Sequence, residues 1–410
     1  MTTFGIEEEF FFLDPETMLP ADIGEGVHDR LAADPRWGEH VHPEFLASQV
    51  EFASPVFETL AEAGDELAAF RREVNADAGR HAVCVASVGT TPDAHRFPSI
   101  TDTDRYHRVV RDMAGIIADH QMSGLHVHVG IPSREHGVAA LNAARPWLPL
   151  LTAMTGNSPL WRANVTGYES WRTVQLRRWT TAGCPPRFAD AADYDRRIRG
   201  MLGFGGLVEL ALIAWNVRLS EHLPTIEFRM ADAQLTADDT LLVAALCRAL
   251  VVRAIDEHDR YGADPTAIRP LRSIDDPDPD PPPELLHAAT LHAAHAGLSG
   301  GAFDPASGRL APAHELVRRL ERHLAEPLER VGDRELVHQL VGRLLKDGTG
   351  AQRQLAAWNR GGIASLRRLF AATITARPSA SAAAAAVARR SGGSTGGPAS
   401  ERERRIQSNG

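Results

Sequence analysis

Lysine is all but missing from this 410-residue chain: Lys346 is the single lysine among 44 basic residues. The phosphate-binding loop that ends in Gly-Lys-Ser/Thr is therefore excluded. No G-x-G-x-x-G occurs either, which disfavours dinucleotide binding. Cysteine is scarce as well. Cys84, Cys184 and Cys247 are odd in number and far apart, so no disulfide framework is expected and a reducing, cytoplasmic setting fits. Positive charge is in deficit, with a net charge of -9, which argues against nucleic-acid or anionic-membrane partners. No apolar run reaches the roughly 18 residues of a membrane span. The N-terminal MTTFGIEEEF has neither the basic start nor the apolar core of a secretory signal.

What remains is ordinary for a soluble globular protein: 43% hydrophobic and 24% charged residues. The length allows two or three domains, or one large catalytic one. Phe4–Leu13 reads as a strand ended by Asp14 and Pro15, and Phe45–Phe52 as a second. Leu60, Leu67, Phe70 and Val74 recur at helical spacing within a helix expected over Phe57–His81. Val83–Val88 returns to strand. A helix is expected over Asp104–Met122, then a strand over Leu125–Ile131, then a helix capped by Ser133 and interrupted by Pro146 and Pro149. Leu207–Leu219 and Thr225–Met230 read as a strand pair, and Thr236 with Asp239 caps a helix to about Ile255. Asp275–Pro283 (DDPDPDPPP) is expected to be an extended acidic loop. Gly297-Leu298-Ser299-Gly300-Gly301 matches the letters of a serine-hydrolase turn but follows a helical stretch, so a plain glycine-rich loop is expected. Helices should follow to about Ile374. From Arg377 on, Ala, Ser, Gly and Arg dominate without any aromatic residue. Residues 1–376 are thus expected to form one catalytic domain and 377–410 a disordered tail.

In a strand, residues i and i+2 share a face. Glu7 and Glu9 do so in GIEEEF, His126 and His128 in GLHVHVGI, and Glu227 and Arg229 in TIEFRM. The latter two strands carry hydrocarbon on the opposite face. This predicts an α+β fold: an antiparallel or mixed sheet with helices on its apolar face and a polar cavity on the other. Glu8 breaks the pattern and is expected near a strand edge. Each pair alone has a plain explanation: a solvated face for the glutamates, a half-buried pair or a Zn2+ site for the histidines, a salt bridge for Glu227 and Arg229. Together they point to Mg2+ or Mn2+ held over nucleotide phosphates, with Arg beside them to stabilise a transferring phosphoryl group. Glu51, in QVEFASP, is a fourth carboxylate that could join the cluster.

These segments carry a family likeness. GIEEEF, GLHVHVGI, NSPLW…TGYESWR, RRWTTAGCPPRF and PTIEFRMADA, in that order, resemble the type 2 glutamate–cysteine ligases, carboxylate–amine ligases of the glutamine-synthetase-like group. The resemblance runs from about Thr3 to Phe370. It implies a curved, mainly antiparallel sheet forming an active-site funnel, helices on the outer face, with ATP entering at one end and the amino acid at the other. The implied reaction converts the γ-carboxylate of glutamate to an acyl phosphate at the expense of ATP. The amine of cysteine then displaces phosphate to give γ-glutamylcysteine. By the same resemblance, Glu7, His126 and Glu227 would ligate the ion bridging the ATP phosphates. Glu9 and Glu51 would ligate the ion nearer the acceptor carboxylate. His128 would face the phosphates and Arg229 the phosphoryl group in flight. Arg218, Arg172 and Arg177 are candidates for substrate carboxylate or phosphate, with surface salt bridges as their plain alternative.

The chain departs from the family pattern at Asn216, where Trp-Asp-x-Arg is usual, and at Thr91, where Gly-Thr-His-Pro is usual. Leu355 stands where another Arg is common. These departures leave the acid and the amine open. The expected partners are small molecules (ATP, glutamate, cysteine or another amine), and a homo-oligomer remains open. Two rival readings stand beside the ligase: a guanidino-type phosphotransferase on a related sheet, and a catalytically silent metal-binding protein.

Overall fold

The first strand shows how the molecule is laid out. β1 (Phe4–Leu13) alternates strictly: Phe4, Ile6, Phe10 and Phe12 join the main hydrophobic core, while Phe11 and Leu13 join a second apolar cluster on the other face. The computed structural model describes residues 2–205, 207, 209–262 and 281–380. Six further strands join β1 in a seven-stranded sheet: β2 (Val41–Pro43), β3 (Gln49–Ala53), β4 (Cys84–Ala86), β5 (Gly124–Gly130), and, after the small hairpin β6 (Leu160–Trp161) and β7 (Asn164–Val165), β8 (Val217–Leu219) and β9 (Thr225–Asp232). The order is β2-β3-β1-β5-β9-β8, with β4 pairing the far end of β1. Every pairing is antiparallel. The structure thus has the α+β class and the antiparallel sheet that the alternation predicts.

The apolar face is covered by helices. Leu60–Arg80 begins in a capping box between Thr59 and Glu62, and Ala237–Tyr261 in one between Thr236 and Asp239. Each box satisfies backbone donors that a bare helix start leaves orphaned. Phe70 of the first helix stacks on Phe52 of β3 with ring centroids 4.3 Å apart, and Trp37 closes on both rings edge-on.

Glu8 is the clearest correction on this face. It sits at no edge: alternation turns it away from Glu7 and Glu9 into the helix layer, where it is fully buried. Arg71 receives it with two bonds, Nε to Oε2 at 3.0 Å and Nη2 to Oε1 at 2.6 Å, and also donates to the carbonyls of Gln234 and Leu235. A buried carboxylate needs such a partner.

Other boundaries differ from expectation. The helix from Asp104 ends at Met113, where Ala114 takes a positive φ of 46°, and a 3-10 turn covers Ala114–Asp119. The strand expected over Leu207–Leu219 shrinks to β8, preceded by a 3-10 turn at Leu210–Leu212. Ser133 caps Arg134–Ala144 as expected, and Pro146 lies in the 3-10 turn before Leu148–Met154. Ser299 donates to Glu169 at 3.2 Å within a loop. The Asp275–Pro283 stretch lies outside the described residues except for its last three, and Pro283 opens the helix Pro283–Ala296. The tail expected from Arg377 has its first residues packed on the body: Ser379 donates to Asp238 at 2.8 and 2.7 Å, and Ala380 is buried. No described helix is long and apolar enough to cross a membrane.

Candidate active site

Strand register lays a row of polar side chains across the open face of the sheet. Glu9 stands opposite Glu51, Glu7 opposite His126, His128 opposite Glu227, and Glu227 opposite Arg218. Between Leu125 and Val127 the register slips, because β9 carries one extra residue there. This bulge at Arg229–Met230 interrupts the strict alternation beside His126, as bulges near active sites do. The row floors a cavity of about 750 Å³. Nine of the ten residues singled out in the sequence line it. Arg177 does not: its guanidinium reaches the His287 carbonyl at 3.2 Å on the outer surface.

Two clusters form along the row. Ligand atoms of Glu7, His126 and Glu227 lie within 4.8 Å of one another, and so do those of Glu9, Glu44 and Glu51. His126 Nδ1 is 2.8 Å from Glu7 and 3.9 Å from Glu227. His128 Nε2 lies 3.1 Å from Glu7, while its Nδ1 pairs with the Thr225 hydroxyl at 3.0 Å. Arg229 bonds Glu227 through Nη1. Glu9 accepts the Gly124 N–H at 2.9 Å. Glu44 is the residue that the sequence reading missed. It follows β2 in a Pro43-Glu44-Phe45 turn, outside any alternating strand, so no periodic signal marked it.

Charge separates the two clusters. Burial would raise the Glu227 carboxyl, but Arg229 and Arg218 outweigh it and hold it far below the carboxylate range. Burial likewise opposes Glu7, and the imidazoles of His126 and His128 overcome it. His126 itself is pushed down to about 4 by burial and by Arg229, so its ring is neutral, the form that ligates metals. In the second cluster the charges of Arg172, Arg229 and Arg105 are outweighed. Burial and the charge of Glu44 push Glu9 up to about 8. Burial, with Glu7, Glu44 and Glu9, raises Glu51 well above the usual range, and Glu44 is raised chiefly by burial. Three buried carboxylates that repel one another make a site that a divalent cation would relieve.

The arginines divide in role. Arg218 donates to Glu227 at 2.6 and 3.3 Å and to the carbonyls of Leu210, Ala211 and Ile213. Its donors are spent on holding Glu227, so it positions that carboxylate and has no fork left for substrate. Arg172 is different. It is buried, its Nε has no partner, and its other nitrogens reach only the carbonyls of Met230 and Arg229 at 3.5 and 3.3 Å. A side chain at Gly124 would meet its guanidinium at 2.5 Å, so only glycine lets it lie there.

The seven-stranded antiparallel sheet, with two carboxylate-rich clusters and two arginines on its polar face, belongs to a fold found among solved ligases. Among solved structures, the chain superposes on a glutamate–cysteine ligase from Francisella tularensis in complex with AMP, with a TM-score of 0.62 at 12% identity, over 97% of this chain and 95% of that one. It also superposes on a bifunctional glutathione synthetase from Pasteurella multocida, with a TM-score of 0.57 at 13% identity, covering 91% of this chain and 52% of that longer protein.

Sequence relatives are nearer. A protein of Saccharopolyspora erythraea provisionally named glutamate–cysteine ligase 2-1 is 39% identical over 87% of this chain and 90% of its own length. One of Salinispora tropica provisionally named glutamate–cysteine ligase 2 is 40% identical over 88% and 91%. The model of glutamate–cysteine ligase family 2 matches residues 3–371. The chain belongs to that family, and it is an ATP-dependent carboxylate–amine ligase of the glutamate–cysteine ligase type.

Proposed function

We propose that this enzyme joins glutamate, through its γ-carboxylate, to an amine such as cysteine, by way of an acyl phosphate. The observation that carries the reading is the pair of carboxylate-rich clusters on one cavity, one in which arginine charge outweighs burial and one in which burial and mutual repulsion win.

The donor sets fit hard divalent cations such as Mg2+ or Mn2+: six ligand positions, five of them carboxylate. Glu7, His126 and Glu227 would hold the cation that serves the ATP phosphates. Glu9, Glu44 and Glu51 would hold the one beside the acid. Bound there, such ions neutralise phosphate charge and draw acid and phosphate together. The chain's own groups do the rest. Arg229, fixed against Glu227, faces the cavity where negative charge develops on the transferring phosphoryl group. His128 faces the same space. Burial works against its charged form, but Glu7 outweighs burial and raises it. Arg172, which lines the cavity and has only long contacts to the Met230 and Arg229 carbonyls, is suited to a substrate carboxylate. Across the roof, Arg105 bonds Glu209 at 2.9 and 2.6 Å and ties the Asp104–Met113 helix to the segment before β8.

Carboxylate oxygen leaves poorly and phosphate leaves well, so activation by ATP makes the amide step possible. Positioning and charge neutralisation account for the rate, and no covalent enzyme intermediate is needed. The test is ADP release by the full chain with Mg2+, assayed with acid alone, amine alone and both, with mass spectrometry of the product. ADP should appear only when both are present, together with an amide. A phosphoramidate without amide would replace this reading with phosphoryl transfer to nitrogen.

A further inference from the structure

The cavity's two ends differ in character. Past Glu7 and Glu227, toward β8, its wall mixes apolar residues with Arg134, Arg199 and His222. Past Glu9, Glu44 and Glu51 the wall turns to hydrocarbon: Phe45, Val109, Met122, Leu176 and Trp179 line it, with the His120 ring among them. Phe45 and Trp179 flank His120 at centroid distances of 5.4 and 4.8 Å, and Tyr106 meets Phe45 edge-on at 5.3 Å. Few polar atoms show here, though His120 Nδ1 and Trp179 Nε1 are buried without a hydrogen-bond partner. The Tyr106 hydroxyl is spent on the Pro43 carbonyl at 3.2 Å, and burial with the charges of Arg172 and Arg178 holds His120 neutral, at about 3. Phe45, Val109, Met122 and Trp179 are each under 10% exposed and yet face the cavity. This is a recess built into the fold, anchored in the second apolar cluster.

We infer that this recess receives the side chain of an aromatic primary amine, so that the ligase joins its acid to such an amine in preference to cysteine. The inference rests on the ligase reading above. Glu44 and Phe45 are adjacent in the chain, so the recess opens directly beside the cluster at which the acid would be activated. A ring seated among Phe45, His120 and Trp179 gains apolar burial and edge or stacked ring contacts. A thiol methylene leaves most of that wall uncovered. In the joining step the amine nitrogen bonds the acyl-phosphate carbon and the carbon–oxygen bond to phosphate breaks. Inorganic phosphate leaves with the electron pair, and the ammonium gives up its two surplus protons, one to phosphate and one to solution. Arg172 lines the same cavity, so the aromatic partner could bring a carboxylate or lack one.

The test is ADP release by the full chain with ATP, Mg2+ and glutamate, offering phenethylamine, phenylalanine, glycine and cysteine in turn. An aromatic amine should exceed cysteine by about 100-fold in kcat/KM, the range that apolar pockets give. Phenylalanine ahead of phenethylamine would place the carboxylate on Arg172, and the reverse order would make the free arylalkylamine the substrate. Trp179→Leu should lower turnover of the favoured aromatic amine about 10-fold. Preference for cysteine or glycine overturns the inference and leaves the ligase intact. If no amine elicits ADP, the ligase reading fails, and the recess is judged by binding alone. Saturation-transfer NMR should then show phenethylamine bound to the wild type and released by Trp179→Leu. Absence of binding overturns the inference.

Discussion

The two faces of β1 solve one problem in opposite ways. Three successive glutamates occupy the strand. The middle one, Glu8, points into the helix layer, where Arg71 takes both of its oxygens. Its neighbours Glu7 and Glu9 point into the cavity, and there the charge is left partly unmatched. Glu7 shares two imidazoles with Glu227 nearby, while Glu9, beside Glu44 and Glu51, has one backbone N–H from Gly124 and arginine charge too weak to offset its burial. A charge that serves the fold is closed off within the fold. One that serves chemistry is held in place by the sheet and left for something from outside to complete.

Breaking either face should have separable consequences. The largest effect belongs to the cavity: Glu227→Gln keeps the shape but removes the charge that anchors Arg218 and Arg229, and should lower kcat/KM about 1000-fold. Removing a buried charge from two guanidinium partners should also lower the melting temperature. Activity is therefore compared at a temperature at which circular dichroism shows both proteins folded, and full activity in the variant would count against the assignment. On the helix face, Arg71→Leu leaves Glu8 buried with only the Thr240 hydroxyl as partner and should cost about 3 kcal/mol in denaturant unfolding. A smaller, graded effect sharpens the contrast within the cavity. Glu9 holds its proton up to about pH 8 in the metal-free protein. A cation must displace that proton, so Mn2+ affinity at this cluster should rise with pH, by up to about tenfold per unit, and level off above 8. The sign follows for stability too. A raised carboxyl favours the folded state at low pH, and that benefit is lost as pH climbs from the ordinary carboxylate range toward 8. Metal-free protein should therefore melt lower at pH 8 than at pH 6, and Glu9→Gln should flatten the difference. Smallest is Ser379→Ala, which removes the hydroxyl bond to Asp238 but keeps the backbone one, and should cost about 1 kcal/mol in the same unfolding assay.

The sheet and most of the site were legible because both follow from a period of two. Glu7, Glu9, His126, His128, Glu227 and Arg229 share a face by alternation alone, and strand order then brings them to one cavity. What escaped depends on contacts distant in sequence. Nothing near Glu8 announces Arg71, 63 residues on. Alternation turns Glu8 away from its neighbours, and a buried guanidinium rather than a strand edge receives it. Glu44 belongs to no periodic element. Arg218 resembles a substrate clamp in sequence, and only the carbonyls of Leu210, Ala211 and Ile213 reveal that its donors are spent. The helix from Asp104 was drawn too long because the break at Ala114 is a backbone conformation that alanine does not signal.

The most direct measurement is a Mn2+ titration of the full chain at pH 8, followed by calorimetry or by loss of the free-ion resonance signal. Wild type should take up two ions and Glu51→Gln one, the remaining ion staying with Glu7, His126 and Glu227. Uptake of no ion, or the same stoichiometry in both proteins, would contradict the division of this cavity into two cation-binding clusters.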